Sequence, residues 1–182
     1  MSEDLPNYPW TALGSGGRLK KAAVAAAIGI VVAVTIGVGS LFQGLPDVTP
    51  LKNSNPETSA LMRQRARRAE DAGQRLVIRQ KWVRFSAVPQ MLKDAVRVSE
   101  DAGFYHHHGI DLGEIRAAIK KSWQQKKPLR GASTITQQLA KNLYLSPERS
   151  IWRKLKEFLI ARRLEAELSK DRIFHLYLNL IE

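Results

Sequence analysis

The chain contains no cysteine. Disulfides and thiolate metal sites are therefore excluded, while the compartment stays open, because oxidising and reducing environments both tolerate cysteine-free chains. Internal repeats and low-complexity tracts are also absent. Acidic residues are scarce, with 17 Asp and Glu against 29 Lys and Arg. The resulting formal charge of +12 predicts attraction to polyanions, and nucleic acid, an anionic lipid surface or a phosphorylated substrate would each satisfy it. Charge alone does not choose among them. Hydrophobic and charged fractions of 44% and 25% are those of a folded protein, and 182 residues allow one domain with attachments.

Charge is missing altogether from Ala22 to Phe42. As a helix this stretch is roughly 32 Å long at about 1.5 Å per residue, enough to cross a bilayer core. Arg18, Lys20 and Lys21 stand directly before it. The positive-inside tendency then puts residues 1–18 in the cytoplasm, a membrane helix at 19–42 and everything later outside. A cleaved signal peptide is the alternative, since Gly37, Gly39 and Ser40 are small. The apolar run is longer than the usual signal core of about 7–15 residues, and the remainder is exported on either reading.

Residues 43–86 read as a linker and a basic, membrane-proximal segment. Gly44 to Pro56 is rich in turn formers. Between Thr58 and Gln74 a helix is expected, with a thin apolar stripe of Leu61, Met62, Ala66 and Ala69 beside Arg63, Arg65, Arg67 and Arg68. That pattern suits lipid headgroups or a plain solvated face. Gln80 to Phe85 reads as a short extended segment. From residue 87 to the end, apolar residues recur at helical spacing and predict a mainly α domain. Helices are expected near 90–100, 112–125, 134–143 and 148–167, with a fifth from Lys170.

Three segments carry candidate chemistry. In the first, a helix ends in Glu100 and Asp101, followed by Phe104, Tyr105, three histidines and Gly109. Carboxylates at a helix C-terminus oppose the macrodipole by about 0.3–1 kcal/mol, which points to a general base or to a compensating partner. Capping of loop amides or pairing with Arg97 are the plainer alternatives. Adjacent histidine side chains diverge and no second ligand cluster has zinc spacing, so a histidine metal site is not expected. In the second, Ser133 and Thr134 are natural N-caps and Thr134 with Gln137 has capping-box spacing. Ser133, Gln137 and Lys141 share one face, so a stripe of donors ending in a cation remains an equal reading. In the third, Arg149, Arg153, Lys154 and Lys156 crowd a helix start with Glu157. A phosphate there would relieve the repulsion, whereas an Arg153–Glu157 pair on a solvated helix would need no ligand.

Taken together and in this order, the segments resemble the peptidoglycan glycosyltransferase family of bacteria, the module of monofunctional transglycosylases and of the N-terminal half of bifunctional penicillin-binding proteins. Glu100, Asp101, Phe104, His107 and Gly109 fit its first motif. Gly131, Ser133, Thr134, Gln137, Gln138, Lys141 and Asn142 fit the second, Arg153, Lys154 and Glu157 the third, and Lys170 to Asn179 the fourth. The similarity runs from about Pro50 to Glu182, and the short N-terminus with one anchor is most similar to Gram-negative monofunctional members. No Ser-x-x-Lys occurs, so a penicillin-sensitive transpeptidase site is absent.

The resemblance implies a lysozyme-like helical domain in the inner membrane's periplasmic space, acting on lipid II and on the growing lipid-linked glycan chain, with other cell-wall synthesis proteins as partners and no nucleic acid. It gives Glu100 the role of base toward the acceptor 4-hydroxyl, in an inverting transfer that releases undecaprenyl pyrophosphate. Lys141 and Arg149 stabilise that leaving group, with Arg153 and a divalent cation, Mg²⁺, as helpers. Glu157 is expected across the cleft, orienting cations, metal or acceptor, while Ser133, Thr134, Gln137, Gln138 and Asn142 contact sugar or phosphate. Lacking a dinucleotide fingerprint or Walker loop, the sequence argues against a nucleotide-sugar donor. A glycan-cleaving enzyme is the nearest rival, yet it would leave Lys141, Arg149 and Arg153 without purpose. A non-catalytic, membrane-anchored scaffold is the other. Because the chain stops inside the fourth motif, an incomplete module is expected, with Ile173, Phe174, Leu176 and Leu178 short of partners.

Overall fold

A computed structural model describes residues 16–128, 131–148 and 150–181. The chain forms two compact units, residues 1–43 and 44–182. In the first, helix α1 spans Gly16–Phe42. Residues Lys20–Ser40 are long and apolar enough to cross a membrane, and none of that span is buried within the protein. Its two hydroxyl side chains turn back onto the helix, Thr35 Oγ1 donating to the Val31 carbonyl at 2.8 Å and Ser40 Oγ to that of Gly37 at 2.7 Å. A polar group satisfied in this way adds little cost to an apolar surrounding.

The second unit is all helical among the described residues: α2 (Ala60–Asp71), α3 (Gln90–Glu100), α4 (Leu112–Gln125), α5 (Ile135–Tyr144), α6 (Ile151–Glu167) and α7 (Lys170–Leu180), with single 3₁₀ turns at 49–52, 85–87 and 104–106. Local chemistry fixes most of the starts. Ser59, Asp111, Thr134, Ser150 and Ser169 each accept the amide three residues on, the N-cap geometry these side chains favour. Helix α6 begins at Ile151 rather than at 148, because Ser150 supplies that cap.

Helix α5 is the axis of the core. It packs against α2, α6 and α7, burying Ile135, Leu139, Ala140 and Leu143. From α6 come Ile160, Ala161 and Leu164, and from α7 Ile173, Phe174, Leu176 and Leu180. The expectation that α7 lacks partners is thus corrected: Ile173, Phe174 and Leu176 are buried, and Leu178 packs on the same cluster. Large exposed apolar side chains lie elsewhere, with Leu112, Ile119 and Trp123 on α4 and Ile151, Trp152, Leu155 and Phe158 on α6.

No strand occurs among the described residues, so the reading of Gln80 to Phe85 as a strand is corrected too, although Arg84 keeps an extended backbone. The backbone there finds a side chain instead of a ladder. Val83 N–H donates to Asn179 Oδ1 at 2.8 Å, and the Val83 carbonyl accepts from Asn179 Nδ2 at 3.1 Å, so one carboxamide replaces a neighbouring strand.

Arg172 anchors the chain that enters this unit. Its guanidinium donates to the carbonyls of Leu51 and Ser54, both at 2.7 Å, and to Asn55 Oδ1 at 2.9 Å. Burial holds its pKa below the usual arginine value. Substituting Arg172 by Met keeps the stem but orphans those acceptors. We expect a loss of about 1.5–3 kcal/mol in thermal or urea unfolding, since bonds to charged groups contribute about that much. An unchanged midpoint would show that water replaces the guanidinium freely.

Candidate active site

Glu100 and Asp101, at the end of α3, differ in burial: Glu100 is exposed and Asp101 is not. Asp101 is buried, and its carboxylate accepts His107 Nε2 at 2.9 and 3.0 Å and the Ile135 amide at 3.0 Å. That amide opens α5. The carboxylate placed badly for α3 is therefore placed well for the next helix, whose N-terminal dipole it meets. This is the compensating partner sought in the sequence, while Arg97 turns to the Ala102 carbonyl. His107 Nδ1 accepts from the Gly109 amide at 3.2 Å, so the hydrogen-bond network places the ring proton on Nε2.

Gly109 holds φ at +87°, and a Cβ there would come within 3.1 Å of Glu165 Cγ and 3.4 Å of the Ala161 carbonyl. Only glycine combines that backbone with that approach. Its carbonyl accepts Thr134 Oγ1 at 2.7 Å. Phe104 is wholly buried, in edge contact with Tyr105 and His107, and Lys170 Nζ sits 4.4 Å over its ring. First-motif residues other than Glu100 thus fasten the end of α3 to the start of α5.

Thr134 and Gln137 form the capping box that their spacing announced. Gln137 N–H donates to Thr134 Oγ1 at 3.2 Å and Thr134 N–H to Gln137 Oε1 at 3.1 Å, both side chains buried. Their polar atoms serve the helix start, so only Ser133 and Lys141 remain of the shared-face stripe, and Gln138, next to Gln137, lines the cleft with Lys141. Ser133 Oγ accepts from Lys154 Nζ at 3.0 Å.

Glu100 remains exposed at the junction of two clefts. The larger, about 480 Å³, is lined by Glu100, Gln138, Lys141, Asn142 and Arg153, together with Leu61 and Gln64 of α2 and Tyr177 of α7. The smaller, about 130 Å³, is lined by Glu100, Asp101, Asp111, Glu114 and the 131–134 segment. Among the described residues, a carboxylate and two cations therefore face one space, while no cation lines the other. Arg149 lies outside the described residues.

Glu157 requires a correction of place. It was expected across the cleft, but it is 2% exposed and does not line it. Its carboxylate is held by Arg153 Nη1 at 2.6 Å and by Lys154 Nζ. The i,i+4 pair was legible; its burial was not. Leu61, Gln64 and Tyr177 went unrecognised as cleft residues, since nothing local in α2 or α7 marks them. Lys154 had a signal, three residues before Glu157 on one helix face.

Asp101, His107 and Asp111 place ligand atoms within 4.8 Å of one another. They do not fit Mg²⁺, which prefers open oxygen sites and retains several waters. Asp101 is already engaged by His107 and the Ile135 amide, and Asp111 Oδ1 caps the Glu114 amide.

A helical unit with an exposed carboxylate and two cations lining one cleft has the charges that glycan or phosphate chemistry calls for. The sequence profile of the transglycosylase family matches residues 69–182, well over half of the chain. The chain belongs to that family. It is 44% identical over 128 residues to a biosynthetic peptidoglycan transglycosylase of Methylobacillus flagellatus, covering 70% of this chain and 56% of the relative. Proteins of the same name from Nitrosomonas eutropha and Alcanivorax borkumensis are 45% and 46% identical, covering 70% and 76% of this chain and 52% and 54% of theirs. The chain spans about half the length of these curated relatives.

Proposed function

We propose that the chain polymerises peptidoglycan glycan strands, transferring the saccharide of lipid II to the 4-hydroxyl of another lipid-linked sugar with inversion and release of undecaprenyl pyrophosphate. One observation carries this reading: an exposed carboxylate, Glu100, shares a cleft with Lys141 and Arg153. Glu100 takes the acceptor proton as oxygen attacks the anomeric carbon. Lys141 and Arg153 neutralise the pyrophosphate, which then departs without a proton, as preorganised charge allows. The family resemblance gives Arg149 the same task. Glu157 acts from beneath, holding Arg153 and Lys154 in place. Glycan cleavage fits less well, because a departing sugar hydroxyl carries no charge for Lys141 and Arg153 to neutralise.

Mg²⁺ is proposed only as a companion of the substrate pyrophosphate, and no step depends on it. Helix α1 is a candidate anchor. We place its N-terminus in the cytoplasm and the catalytic unit in the periplasm, with cell-wall synthesis proteins as partners and no nucleic acid. Confinement of enzyme and both lipid substrates to one inner membrane raises their effective concentration.

The test is incubation of the full chain in liposomes with labelled lipid II, with Mg²⁺ or with chelator. Long glycan that a muramidase digests is the expected product. Short cleavage products from preformed glycan, or no product from chain shown to be folded, would overturn the proposal.

A further inference from the structure

A carboxylate at an exposed helix end has several rotamers open to it, and a base must occupy one of them. Glu100 is held by a neighbour: its Oε2 accepts from Gln138 Nε2 at 2.9 Å. A carboxamide presents oxygen or nitrogen depending on how it is turned, and only the nitrogen can donate to a carboxylate. Here the choice is made from the far side, where the Tyr177 hydroxyl donates to Gln138 Oε1 at 3.1 Å.

Tyr177 is well placed to impose that choice. It is 2% exposed on α7, with its ring 6.4 Å from that of Phe174, so packing fixes the hydroxyl. Burial, followed by the charges of Glu100 and Asp101, pushes its phenol up to about 12, so at neutral pH it keeps the proton it donates. We propose that Tyr177 is a positioning residue for the reaction: it turns the Gln138 amide nitrogen toward Glu100 and thereby holds the carboxylate in the cleft with Lys141 and Arg153. With the amide reversed, Gln138 Oε1 would face the carboxylate, acceptor against acceptor. The inference rests on the reading of Glu100 as the base.

The experiment compares the full chain in liposomes with Tyr177→Phe, Gln138→Met and the double variant. Each single change is expected to lower kcat about tenfold, the order expected from losing one positioning hydrogen bond, with KM nearly unchanged. The double variant should be no slower than Gln138→Met alone, because both act through one bond to Glu100. Losses that multiply, or that appear in KM, would overturn the relay, and thermal midpoints check that each variant folds. A readout free of turnover is the ¹⁵N side-chain amide of Gln138 in detergent micelles, identified by its loss in Gln138→Met. Its two protons should move toward free-amide positions in Tyr177→Phe and in Glu100→Ala, which removes the acceptor. An unmoved amide in Tyr177→Phe sinks the relay even where glycan forms, whereas a moved amide in a chain that makes no glycan sustains the relay and sinks the base.

Discussion

Glu100→Gln should slow glycan polymerisation by about 10²–10⁴, the range that general-base assistance usually contributes, with the fold and lipid binding intact. The separation of effects follows from the geometry. Glu100 is exposed, so the substitution removes no buried contact and its effect on unfolding should be within about 0.5 kcal/mol. The new amide oxygen can still accept from Gln138 Nε2, which preserves the orientation of the side chain. What disappears is the capacity to take a proton. The loss should therefore fall on kcat, with KM for lipid II nearly unchanged, because the removed interaction is made with the proton in flight. A Gln variant within threefold of the parent would reassign the base. A raised KM at constant kcat would make Glu100 a binding residue. A non-catalytic scaffold, by contrast, would bind lipid II with salt sensitivity and be indifferent to the change.

What the sequence disclosed and what it withheld divide by distance along the chain. The capping box of Thr134 and Gln137 closes within four residues, and the Arg153–Glu157 pair within one helical turn, so both were legible from spacing. The candidate span at α1 was legible because a bilayer demands one uninterrupted apolar length. Asp101 shows where such reading ends. Two carboxylates at a helix end announced an unusual need, but the amide that answers it belongs to Ile135, on another helix. Similarly, the Asn179 carboxamide that completes Val83 lies 96 residues away, and from Gln80 to Phe85 alone the segment could only be read as extended. Charge deceived most at Glu157. A carboxylate among four cations looks solvated in one dimension, and only the packing of α6 on α5 puts it inside. Family resemblance pointed to a cluster of residues, and their division into those that face the cleft and those that brace it came from three dimensions.

That bracing role makes Glu157→Gln the substitution with the largest expected effect on stability. The carboxylate is 2% exposed and faces Arg153, whose side chain is 17% exposed. Removing one member of such a pair typically costs about 3–5 kcal/mol, because the remaining charge stays desolvated without its counter-ion. The Lys154 half contributes less, since that side chain is 47% exposed and water screens it. Among the described residues the Arg153 Nε atom already lacks a hydrogen-bond partner, so the guanidinium has little else there to turn to. Against a typical total of about 5–15 kcal/mol, the loss should lower the thermal midpoint on the order of 10 °C or more. Inorganic pyrophosphate discriminates between the possible reasons. If Arg153 and Lys154 are cations held ready for a phosphate, the anion should raise the midpoint of Glu157→Gln more than that of the parent, since binding to the native state alone stabilises it. The double change Glu157→Gln with Arg153→Met should melt higher than the single change, as an apolar stem costs less to bury than an unpaired guanidinium. A double variant that melts lower would mean that Glu157 is held by packing rather than by charge, and that Arg153 owes its place in the cleft to something other than the carboxylate beneath it.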